Sequence, residues 1–197
     1  SVTVEGVNDA PVLATVSDVS FDEDLSGSVS LSGSDIDGDD LTYSITGGTD
    51  IIATLDGSDI TFSAPADFNG SESFTVSVSD AELTDSQIIT VTINAVNDAP
   101  LLSVVSDQTM QEGGTKAVLL SGSDIDEDAL TYSITQGTNI TSSIDGSTIT
   151  FSVIDDNWNG VESFTASVTD GQFTSDQTFS VTVEGVNDAP VLATVSD

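Results

Sequence analysis

Cysteine and histidine are both absent from this 197-residue chain, and Lys116 is its one basic residue. Without cysteine there is neither a disulfide staple nor a thiolate metal site. Without histidine the commonest general base and the commonest imidazole ligand are gone. One cation against 34 acidic residues gives a formal charge of −33. That balance excludes a nucleic-acid partner, because phosphate binding requires Lys and Arg to displace counterions. It disfavours anionic membranes on the same ground. No run reaches the 18 or more apolar residues of a spanning helix, so no membrane insertion is expected in this segment. Aromatics make up 6% of the residues and proline occurs four times.

What is present is organised as repeats. The segment SVTVEGVNDAPVLATVSD occupies Ser1 to Asp18 and recurs letter for letter as Ser180 to Asp197. Its VNDAP block appears once more between the two copies, so the prolines stand at Pro11, Pro100 and Pro190. Such periodicity settles architecture before residue chemistry does. We divide the chain into residues 1–7 as the last strand of a preceding repeat, a first module at 8–96, a second at 97–186, and the start of the next repeat at 187–197. Apolar residues alternate at period two, as in Leu41, Tyr43 and Ile45 or Phe74, Val76 and Val78, and turn pairs such as Asp56-Gly57 and Asn69-Gly70 separate the runs. No helical face of useful length occurs. Roughly seven short strands in each module predict an all-β fold of tandem antiparallel Greek-key β-sandwiches arranged head to tail.

Acidic positions recur between the modules. Glu23 matches Glu112, Asp35 and Asp37 match Asp124 and Asp126, Glu72 matches Glu162, and Asp80 matches Asp170. The junctions add Asn8 and Asp9, Asn97 and Asp98, and Asn187 and Asp188. A strand of about eight residues spans roughly 26 Å, which separates Glu72 from Asp80 by the height of a sandwich. Head-to-tail stacking is expected to bring Glu23 and Glu72 of one module against the Asn-Asp, D-x-D and late Asp of the next. Carboxylates converging without Lys or Arg repel by about 4 kcal/mol per close pair at an effective dielectric near 20. A hard cation relieves this, and Ca²⁺, with six to eight oxygens in flexible geometry, suits carboxylates and carbonyls better than Mg²⁺. The D-x-D-G-D run is not an EF-hand loop, since Thr46 stands where a bidentate Glu is required.

The chain resembles the cadherin-like, immunoglobulin-like tandem repeats of giant bacterial surface adhesins. The resemblance rests on DIDGDDLTY, FNGSESF and VNDAPVL and covers essentially the whole sequence. It implies a calcium-rigidified extender on the cell surface, extracellular, with neighbouring repeats of the same polypeptide as partners and any surface or matrix ligand bound elsewhere in the full protein. The alternative is an adhesive module, homophilic or carbohydrate-directed, for which Phe68 and Trp158 are the candidate platform. The match departs from the pattern where Asp67 becomes Asn157. Catalysis is not expected: with no His or Cys only carboxylates could act, and these recur as structural elements do. Lys116 could form an isopeptide cross-link, but its counterpart Gly27 could not.

Overall fold

The computed structural model describes residues 6–190. The expected strand at Ser1–Glu5 and residues 191–197 lie outside this range. No helix occurs among the described residues, and so none is long and apolar enough to cross a membrane. The contacts divide the chain between Val96 and Asn97.

In the first unit the strands are β1 (Val12–Leu13), β2 (Val19–Asp22), β3 (Gly27–Ser30), β4 (Gly33–Ser34), β5 (Thr42–Gly47), β6 (Ile52–Asp56), β7 (Asp59–Ser63), β8 (Gly70–Ser79) and β9 (Thr84–Asn94). They form a four-stranded sheet, β2-β9-β8-β5, a three-stranded sheet, β3-β7-β6, and a short β1-β4 ladder. The sheets pack face to face because each strand turns alternate side chains inward. On β8 the buried Phe74, Val76 and Val78 alternate with partly exposed residues, and Phe74 meets Phe62 of β7 edge-on at 5.2 Å between ring centroids. Tyr43 packs against this core while its hydroxyl accepts the Gly33 N–H at 2.8 Å.

The second unit repeats the plan with β10 (Leu101–Leu102), β11 (Gln108–Gln111), β12 (Thr115–Leu119), β13 (Gly122–Ser123), β14 (Thr131–Ile134), β15 (Ile140–Asp145), β16 (Thr148–Val153), β17 (Gly160–Thr169) and β18 (Thr174–Glu184). Its sheets are β11-β18-β17-β14 and β12-β16-β15. Phe68 and Trp158 pack against the two cores from their edges.

One pairing departs from the antiparallel expectation. β2 runs parallel to β9, and β11 parallel to β18. β2 and β9, like β11 and β18, are far apart in the chain and not joined by a hairpin, so nothing obliges them to oppose each other. The parallel register sets Asp22 opposite Asn94 and delivers Glu23 to the end of β9, beside Val96.

The cores also exchange volume between aligned positions. A Cβ on Gly27 would stand 2.4 Å from the Phe21 ring. In the second unit Met110 replaces that Phe and Lys116 replaces that Gly, with the Lys116 side chain half-buried on the inward face beside Val118. A half-buried Lys side chain thus stands at the position where the Phe21 ring leaves no room for a Cβ in the other unit. We expect Gly27→Ala to destabilise the first unit by about 1–3 kcal/mol through overpacking. Adding Phe21→Met should recover most of that loss in a denaturant melt, and a Gly27→Ala chain as stable as its parent would contradict the assignment.

Candidate metal centre

Each unit gathers its acidic residues at the pole where its Asn-Asp segment lies. In the first unit the loop after β4 folds around Asp35, whose Oδ1 accepts the N–H groups of Asp37 at 2.8 Å and Gly38 at 3.0 Å. Such a turn is what an Asx side chain followed by Gly favours. Asp37 in turn accepts the Asp9 N–H at 2.8 Å. Asp80, at the β8–β9 turn, takes the Glu82 and Leu83 N–H groups on Oδ1 and the Asn8 side-chain amide on Oδ2 at 2.9 Å. Carboxylate oxygens of Asp35, Asp37 and Asp39 lie within 4.8 Å of one another.

The second unit reproduces these bonds. Asp124 accepts the Asp126 N–H at 3.0 Å, Asp126 accepts the Asp98 N–H at 2.8 Å, and Asp170 accepts the Asn97 side-chain amide at 2.9 Å. One feature in both units is unresolved by protein groups: Asp35 Oδ2 and Asp124 Oδ2 are enclosed and have no hydrogen-bond partner. An enclosed carboxylate oxygen without a donor is expensive, and neighbouring carboxylates make it more so. A hard cation fits this donor set of carboxylate, carbonyl and amide oxygens.

The remaining candidates fall elsewhere. Glu23 is buried, and its Oε1 accepts the Val96 N–H; Glu112 accepts the Val186 N–H at 2.6 Å. Both lie at the pole opposite their own unit's D-x-D, about a strand length away along β9 or β18. Glu72 and Glu162 have a different engagement from the expected one. Glu72 accepts N–H groups from Thr49, Asp50 and Ile51 at 2.8, 3.1 and 3.1 Å, and Glu162 those of Thr138, Asn139 and Ile140. Each carboxylate serves as the centre of its own β5–β6 or β14–β15 connection. The wrap is tight enough that a Cβ on Gly137 would sit 2.3 Å from Glu162 Oε2. Asn187 and Asp188 are exposed, with the Asn187 amide donating to the Asp188 carbonyl.

Two further acidic residues hold the fold and were not singled out from the sequence. Asp18 accepts the Thr90 N–H at 2.7 Å, and Asp107 accepts the Ser180 N–H at 2.7 Å. Their recurrence within matching Val-Ser-Asp triplets was the available signal.

The family model for the bacterial Ig domain matches residues 8–92 and again residues 97–184. The chain belongs to the bacterial Ig-domain family. These tandem Ig-like repeats share the cadherin-like fold. Human protocadherin-24 EC1-2 is 18% identical over 92% of this chain and 100% of its own, with a TM-score of 0.51. A second crystal form of it gives 16%, 90%, 100% and 0.55. An endo-fucoidan hydrolase from glycoside hydrolase family 107 aligns at 21% identity over 90% of this chain, with a TM-score of 0.35. The bacterial Ig domains described here span 29% of that enzyme's length. No curated protein sequence matches.

The hydrogen bonds shift the acids' titration. The Leu83 N–H, with the Asn8 amide, holds Asp80 below its ordinary 3.8, and the Asn97 amide does so for Asp170. The Thr49 N–H leads in lowering Glu72 from 4.5. For Glu162 burial pushes upward, but the Asn139 N–H and side-chain amide outweigh it and the net direction is down. A group whose folded value is depressed contributes stability that is present above its unfolded value and lost as pH falls through the folded one. In chelator, the melting temperature should therefore hold down to about pH 5 and drop below about pH 4. A melting temperature that kept rising below pH 4 would show that relief of repulsion outweighs these bonds.

Proposed function

We propose that the chain is a calcium-stiffened structural repeat, an extender within a larger extracellular bacterial adhesin or surface fibre. The observation that supports this reading best is the enclosed, unpartnered carboxylate oxygen that recurs on Asp35 and Asp124. Calcium would be held in the first unit by Asp35, Asp37 and Asp80 with oxygens of Asn8 and Asp9, and in the second by Asp124, Asp126 and Asp170 with those of Asn97 and Asp98. Glu23 and Glu112 each accept a backbone N–H on one oxygen and would offer the other to a cation at the opposite pole of their unit. Calcium supplies charge neutralisation and cross-bracing of loops, and no catalytic role is assigned. The family, the shortage of basic residues that trypsin-like proteases cut, and the tandem arrangement support an extracellular location. For the adhesive reading, the candidate platform residues Phe68 and Trp158 pack against the cores, and the displayed aromatic is Phe173 at the β17–β18 turn.

The paired Asp35→Asn, Asp124→Asn chain tests the ligand assignment. Asn keeps an Oδ1 for the turn N–H groups and removes the unpartnered charge, so the chelated variant should be at least as stable as its parent. Its calcium dissociation constant should rise by about tenfold or more, a change of about 1.4 kcal/mol. A variant that binds calcium like its parent in a calorimetric titration would remove these two residues from the site.

A further inference from the structure

The linker between the units is gripped from both sides by carboxylates that use no ion to do so. On the upstream side, Glu23 Oε1 accepts the Val96 N–H. On the downstream side, Asp126 accepts the Asp98 N–H, Asp170 accepts the Asn97 side-chain amide, and Ser175 donates its hydroxyl to the Pro100 carbonyl. Each grip stays within one unit, and each carboxylate grip occurs twice. Glu112 holds Val186 as Glu23 holds Val96, using only residues of the second unit. Asp37 and Asp80 hold Asp9 and Asn8 as Asp126 and Asp170 hold Asp98 and Asn97, using only residues of the first. The two halves of the clip therefore close independently.

We infer that the linker is clipped in the absence of metal, each unit holding the linker residues that belong to it through protein hydrogen bonds alone. Residues Asn97 to Pro100 belong mechanically to the second unit, since Pro100 is buried there and its φ is fixed by the ring. Residues up to the Val96 nitrogen belong to the first, held by Glu23 and by the Glu23 N–H on the Asn94 carbonyl at 3.0 Å. This inference goes beyond the cation reading and survives its failure, because every bond in the clip is made by protein groups alone.

Amide hydrogen exchange and ¹⁵N relaxation on the whole chain in chelator test it. The Val96 and Asp98 amides should be protected, with heteronuclear NOE values like those of the neighbouring strands. Asp126→Ala should speed exchange at Asp98 by about tenfold and leave Val96 unchanged, and Glu112→Ala should do the same at Val186 alone. Glu23 is buried and its removal could unfold the first unit, so the Glu112 variant carries the test of the upstream half. Unprotected amides with low NOE values throughout residues 95–99 in the chelated parent would overturn the inference. So would protection that appears only after calcium is added, a result that would leave the calcium reading intact.

Discussion

Calcium should raise the melting temperature of the chelated chain by on the order of 10–20 °C. A ligand that binds only the folded state stabilises it by about 2.7 kcal/mol at a hundredfold excess over its dissociation constant. For a module of this size each kcal/mol moves the midpoint by roughly 4–8 °C. The effect is expected to be large because the chelated state carries a charge of −33 with one Lys, and a carboxylate oxygen in each unit is enclosed without a donor. Magnesium should do less, since its strict octahedron fits poorly among carboxylates already committed to backbone N–H groups. Scanning calorimetry with calcium, magnesium and chelator reads all three states. Scattering should also change with calcium if the repeat stiffens, and identical profiles in both conditions would contradict that part of the proposal.

Glu72→Ala is the substitution with the largest expected cost outside the hydrophobic cores. Three backbone N–H groups lose a charged acceptor, and hydrogen bonds to charged groups contribute about 1.5–3 kcal/mol each. Thr49 and Asp50 are exposed and can turn to water, while Ile51 is buried and cannot. We therefore expect a loss of about 2–4 kcal/mol rather than the full sum. The connection has little room to adapt, because Gly48 sits at a φ of 80° where a Cβ would meet the Ile51 carbonyl at 2.4 Å. The loss should be the same with and without calcium, as measured by urea melts in each condition. A variant that keeps its chelated stability but loses its calcium response would return Glu72 to the set of metal ligands.

Glu72 also shows where reading the sequence reached its limit. Its recurrence as Glu162 is visible in the repeat alignment, and so is its place before a long strand. Its partners are backbone N–H groups of a connection more than twenty residues earlier in the chain, and backbone donors leave no trace in residue identity. The D-x-D loop was more legible because its chemistry is local: Asp35 binds N–H groups two and three residues on, and Asp-Gly marks the turn. The β8–β9 and β17–β18 hairpins were legible for the same reason, with period-two alternation on both strands and a turn between them. The parallel β2–β9 pair joins residues some seventy positions apart, and alternation alone does not tell parallel from antiparallel. Two-residue ladders such as β1–β4 are too short to have a period at all.

The measurement that tests the central claim most directly is a calorimetric titration of the chelator-stripped chain with calcium in about 0.15 M monovalent salt, where exposed charges more than about 8 Å apart are largely screened. Built sites predict saturable binding, with a dissociation constant in or below the 10⁻⁴–10⁻³ M range of extracellular modules, that persists at this ionic strength. Binding that is seen only at low salt and disappears at 0.15 M would mean that calcium merely condenses on an acidic surface, and would contradict the account.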